Sequence, residues 1–175
     1  RRHTRFRNVT GVQTCALPIY ARPDLAGVGS WFVDIDAAGR VTRRHEFDVA
    51  PLAIRRQLTH NCLLVHSAMT YRAALARAAG AYDERYDYAQ DFALWVSLAR
   101  HHDLGAIPAP LTSIRRLATS MSSGRDYAMD LVRDAVRLYA RAQGLPGLRV
   151  VDRLRGLRTI AYFAALWVWR TIRRR

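Results

Sequence analysis

The chain of 175 residues contains no lysine: all 28 of its basic residues are arginine, set against 14 acids for a formal charge of +14. Such one-sided usage reflects coding composition and carries no functional weight. Cysteine is scarce. Cys15 and Cys62 are the only two, which excludes a disulfide framework or a cysteine-rich metal centre and makes a reducing, cytosolic setting the default expectation. The basic N-terminus is not followed by an apolar segment long enough for a secretory signal. Long hydrophobic runs are missing too. The best candidate, residues 159–169, is flanked by Arg158 and Arg170. At about 1.5 Å per residue it spans roughly half of a ~30 Å hydrocarbon core and cannot cross a bilayer alone. Internal repeats and low-complexity linkers are absent.

What is present is a globular composition, half of it apolar, enough for one core of respectable size. The charge is unevenly placed. Arg1, Arg2, Arg5 and Arg7 contribute four positive charges, and residues 149–175 carry eight arginines against the single acid Asp152. Residues 20–148 hold 16 arginines against 13 acids and are close to balanced. The excess therefore belongs to the ends, and a basic, apolar tail points to a membrane surface or a polyanion. The body offers no exposed aromatic–basic platform, so nucleic acid is not an expected partner.

Residues 9–19, Val-Thr-Gly-Val-Gln-Thr-Cys-Ala-Leu-Pro-Ile, resemble the translation of a short-read sequencing adapter. Residues 1–19 are accordingly set apart from the fold as a non-native segment; the alternative is a native disordered arm that binds an acidic partner.

Trp31-Phe32-Val33-Asp34-Ile35-Asp36, followed by Gly39 and Val41, predicts a hairpin over residues 29–44. Alternation puts Asp34 and Asp36 on one side of the strand, as a divalent ion would need. They also lead directly into the turn, where aspartate bonds the local backbone, and that role is favoured. A short helix with Pro51 in its first turn is expected over residues 51–60. The apolar run 61–71 predicts a buried strand interrupted by His66 and Ser67, polar groups most simply satisfied within a core. An alanine-rich helix over 72–79 stops at Gly80. A polar, aromatic loop then leads from Tyr82 into a helix running to about His102. Asp91 occupies its expected N-cap position, and Phe92, Trp95, Val96 and Ala99 follow on its apolar face. A carboxylate there meets free N–H groups and the positive end of the helix dipole, so it should stay ionised. Short strands are expected at 104–107 and 111–117, around a loop bracketed by Pro108 and Pro110, with a polar turn at 120–124. Helices follow over 125–143 and 150–175. The last of these, with two tryptophans, a tyrosine and flanking arginines, suits an interfacial helix on an anionic leaflet or a helix docked on the body.

The succession of His66-Ser67, then Arg72 opening a helix, Gly80-Ala81-Tyr82-Asp83-Glu84, Gln90-Asp91-x-x-Leu94-Trp95, Pro108-x-x-Leu111 and Arg115 resembles the C-terminal half of the catalytic domain of family-2 glycosyltransferases. The likeness covers about residues 24–122. It implies an α/β fold: an incomplete GT-A mixed sheet with flanking helices, over residues 20–123, plus a basic, membrane-proximal helical tail over 124–175. It also implies inverting transfer of a sugar from a nucleotide-sugar donor to a hydroxyl on a saccharide, lipid-linked or protein acceptor, in cell-surface polysaccharide or glycoconjugate synthesis. Asp91 corresponds to the general base. Tyr82, Asp83 and Trp95 would shape the acceptor pocket or support the base, His66 belongs to the substrate-binding set, and Arg115 corresponds to an arginine near the diphosphate. Mg²⁺ or Mn²⁺ would hold the leaving diphosphate, through ligands expected upstream of Tyr20. The expected location is the cytoplasm, peripheral on the inner face of the plasma membrane.

This sequence departs from the family pattern in several places. Gln90 stands where a glutamate is usual, Ala81 replaces a glycine, Ile114 stands where tyrosine is common, and Arg116 and Leu117 follow Arg115 where a histidine is expected. Without a glutamate neighbour, Asp91 should have the lower pKa. The competing classes are a non-catalytic basic module on a membrane or polyanion, and a degenerate relative of the enzymes. A chain holding only the acceptor-side half is expected to be inactive by itself.

Overall fold

The computed structural model describes residues 19, 21–86, 88–117 and 127–172, with the backbone alone for 127–129. It is an α/β structure built on a four-stranded mixed sheet. Strand β1, Leu25–Ile35, is the axis, and its residues are buried almost without interruption. Such a run reads as a strand covered on both faces. Strand β2, Val41–His45, pairs antiparallel with the C-terminal half of β1. The two-residue strand β3, Thr70–Tyr71, pairs antiparallel with Gly27 and Val28. Along the other side β4, Asp103–Arg115, runs parallel to β1. The hairpin is as expected, with Gly39 at φ +85° in the turn, but β1 begins four residues before Gly29.

Two strand expectations are corrected. Asp103–Arg115 is one continuous strand, where two short ones around a proline loop were expected over 104–107 and 111–117. The β1–β4 register slips between Ser30↔Ile107 and Trp31↔Pro110, so the prolines sit in an irregularity of a strand whose ladder is with β1 alone. A residue without an N–H is tolerated there. Residues 61–71 form no long strand either. They make a loop, a 3₁₀ turn over His66–Ala68 and then β3. The segment lies against β1 where that strand has no side chains: a Cβ on Gly29 would stand 2.7 Å from the Met69 sulfur, and one on Gly27 would stand 3.2 Å from the Met69 methyl. Apolar composition alone could not separate this from a strand.

Helix α1, Pro51–Gln57, begins with its proline in the first turn. Helix α2, Ala73–Ala78, ends in a Schellman motif, the Gly80 N–H donating to Arg77 O and the Ala81 N–H to Ala76 O. Gly80 takes φ +98° and Ala81 φ +53°, a turn of chain that glycine makes cheap and alanine does not. Helix α3, Gln90–Ala99, is buried on most sides through Phe92, Leu94, Trp95, Val96 and Leu98. It stops at Ala99, short of the histidines, and Asp103 pairs with Arg55 at 2.6 Å. The expected turn at 120–124 lies outside the described residues.

Helices α4, Tyr127–Ala142, and α5, Val150–Ile172, complete the chain. Leu138, Tyr139, Ala142 and Leu145 join the same core as α1 and α3. The Phe92 and Tyr139 rings are 5.0 Å apart, and those of Tyr139 and Phe163 are 5.7 Å apart. Asp152 starts α5 by accepting the Arg149 N–H (2.9 Å) and side-chain Nε (3.1 Å). This is the reach-back bond of an N3 acid to its N-cap.

Candidate functional site

Three separate stretches meet above the N-terminal turn of α3. The 3₁₀ turn presents His66, β3 presents Tyr71, and the loop released by the Schellman motif presents Tyr82. The Tyr82 hydroxyl lies 2.7 Å from His66 Nε2 and 2.8 Å from the Tyr71 hydroxyl. Beneath them Trp95 is completely buried. Its indole N–H donates to Leu64 O at 3.0 Å. His66 stacks on the indole at 6.3 Å, and Tyr71 meets it edge-on at 5.5 Å. Asp91 is one helical turn before Trp95, on the same face of α3.

Asp91 is not the N-cap. That position belongs to Ala89, which supplies no side-chain bond. Asp91 is the second helical residue, half-buried, and its Oδ1 accepts the Phe92 N–H at 2.7 Å. Burial raises its pKa; the Phe92 N–H and the charge and N–H of His66 oppose the rise without cancelling it. This reverses the expectation of a lowered pKa. Desolvation outweighs the loss of one like-charged neighbour. The Tyr82 hydroxyl is pushed up to about 12, by burial first and then by Tyr71 and Asp91. Cys62 lies nearby, and burial raises its thiol strongly, which disfavours the thiolate.

Of the residues chosen from sequence, His66, Tyr82, Trp95 and Asp91 converge. His66 and Ser67 are exposed, and neither is a core group. Trp95 can support the site but, having no exposed surface, cannot touch a ligand. Asp83 is turned aside: Arg85 holds it at 2.7 Å and Arg141 at 3.6 Å, which depresses its pKa to about 2. It ties the Tyr82 loop to α4. Arg115 donates to the Asp36 and Ala37 carbonyls at 2.9 and 2.6 Å and braces the hairpin turn. Tyr71 was missed, because its only mark in the sequence was its place at the end of an apolar run.

The pair Asp34 and Asp36 does not fit a divalent ion. Asp36 accepts the Arg40 N–H (2.9 Å) and Nε (2.7 Å) across the turn. Asp34 is buried between His45 (2.9 Å) and Arg116 (2.8 Å). Arg116, standing where the family histidine was expected, thus has a structural partner. Burial pushes the Asp34 pKa up, but His45 and Arg116 together hold it below the usual range. Among the described residues, no three His, Cys, Asp or Glu side chains gather as a metal site. A cavity of about 510 Å³ opens beside Tyr71 and Arg72, but His66, Tyr82 and Asp91 do not line it.

No protein-family model matches the chain, and no curated protein matches it.

Proposed function

We propose that this chain is the acceptor side of an inverting, nucleotide-sugar-dependent glycosyltransferase with Asp91 as its general base. The observation that carries the proposal is a half-buried carboxylate of raised pKa beside an exposed imidazole and an exposed phenol that are hydrogen-bonded to one another. A base works best when its pKa rises toward the operating pH while it remains ionised. In the proposed reaction Asp91 takes the proton of an acceptor hydroxyl as that oxygen attacks the anomeric carbon. The bond from that carbon to the diphosphate breaks on the opposite face, which inverts the centre.

His66 and Tyr82 offer the acceptor a donor and an acceptor of hydrogen bonds, and Tyr71 and Trp95 hold them in place. Mg²⁺ or Mn²⁺ would stabilise the departing diphosphate, with ligands other than Asp34 and Asp36. The family resemblance supplies the reaction class; the site supplies the base and its surroundings.

The test uses the enzyme with its nucleotide-binding half and a panel of nucleoside-diphosphate sugars. Asp91→Asn should reduce transfer by at least about 100-fold, the scale of a lost general base, with donor affinity unchanged by calorimetry. Turnover retained in Asp91→Asn would remove the base assignment.

A further inference from the structure

Helix α5 has two apolar faces, and only one of them is used. Phe163 and Ile160 turn inward onto the core. A second stripe, Val150, Leu154, Leu157, Val168 and Ile172, recurs at helical spacing along the outer side, with Ala161 and Ala165 between. These five large side chains keep between 48% and 74% of their surface exposed. A surface helix ordinarily presents polar residues there. Instead, Arg153, Arg155 and Arg158 are exposed along this stretch, with Tyr162, Trp167 and Trp169 also exposed further on. The helix has one acid, Asp152, which is 1% exposed and held by Arg149. Everything charged on the outer side is therefore positive.

We propose that this outer face lies flat on an anionic lipid surface. The apolar stripe would enter the headgroup–acyl boundary, the tryptophans and tyrosine would sit at headgroup level, and the arginines would meet lipid phosphates. The 23 residues of α5 give a contact about 35 Å long. Crossing the bilayer is not an option, since no helix among the described residues is long and apolar enough. A second copy of the chain fits less well. A two-fold pairing through this face would set arginines against arginines, with no exposed acid on the helix to offset them. The surface is independent of the transfer chemistry.

The experiment is co-sedimentation of the full chain with phosphatidylcholine vesicles, with and without about one-third phosphatidylglycerol. Binding is expected to the anionic vesicles alone and to weaken with added salt, since surface charges are screened within a Debye length of ~8 Å at physiological ionic strength. Leu157→Glu/Val168→Glu should weaken it by an order of magnitude or more. Arg153→Gln/Arg155→Gln/Arg158→Gln should weaken it by roughly tenfold or more and flatten the salt dependence. Thermal melts verify that both variants fold. Absence of sedimentation with anionic vesicles at low salt would overturn the proposal. So would a concentration-dependent dimer that Leu157→Glu/Val168→Glu abolishes in a chain that ignores vesicles.

Discussion

At the residue scale, Asp91 sets the terms. An acid whose pKa is higher folded than unfolded supports the fold fully only below its unfolded pKa, and that support is lost as pH rises through the folded value. At neutral pH its charge is a cost to the fold. Asp91→Asn should therefore raise the melting temperature at pH 7, and the gain over the parent should vanish as pH falls toward 4. Scanning calorimetry at several pH values checks this, and an Asp91→Asn variant less stable than its parent at pH 7 would contradict it. Such a gain is what the proposed role of Asp91 as a base leads one to expect, because a group kept charged for chemistry costs stability. Residue type and order made Asp91, Tyr82 and His66 legible as candidates. Burial was not legible, and burial decided the direction of the Asp91 pKa. It also separated Trp95, a wholly enclosed support, from Tyr82, which is exposed.

At the element scale, α5 is closely seated at Gly156, against Gln143 just after α4 and Thr59 just after α1. A Cβ there would stand 2.0 Å from Gln143 Nε2 and 2.8 Å from the backbone oxygen of Thr59. The Gln143 amide donates to Thr59 O and Tyr139 O, while the Thr59 hydroxyl bonds Arg56 O and Asp152 O. Gly156→Ala would gain about 1 kcal/mol of helix propensity. It would also push into a backbone oxygen that cannot rotate away and displace Gln143, an overpacking cost of about 1–3 kcal/mol or more. The net effect should be destabilising by up to about 2 kcal/mol, read from the midpoint of urea unfolding; a raised midpoint would show that α5 is not seated as described. Helices were the most legible elements, because α2, α3 and α4 announce themselves by apolar spacing and glycine stops, although the cap expected at Asp91 falls on Ala89 instead. The segment 61–71 was not, since an apolar run fits a strand or an enclosed loop equally well. Its path was settled by the bare glycines of β1.

At the scale of the whole molecule, a few carboxylates are held against arginine. Asp83 is held by Arg85, Asp152 by Arg149, and Asp34 by His45 and Arg116 against its burial; all three pKa values lie below the ordinary 3.8, with Asp83 at about 2. The stability such groups contribute is present above their unfolded pKa and is lost as pH falls through the folded value. Unfolding should become markedly easier between about pH 4 and pH 2, and a melting temperature that stays level across that window would count against these pairs. The sequence by itself determined the mixed α/β class, the placement of basic charge at the ends, the helices, the hairpin and four members of the candidate site, since periodicity, turn-forming glycines and residue type are local properties. Tertiary structure alone decided that β4 is one strand across its prolines, that Asp34 and Asp36 are spent on arginine and histidine, and that Tyr71 joins His66 and Tyr82. It also decided which face of α5 is left uncovered. Each of these depends on what a distant segment places opposite a residue, and spacing along the chain does not encode that.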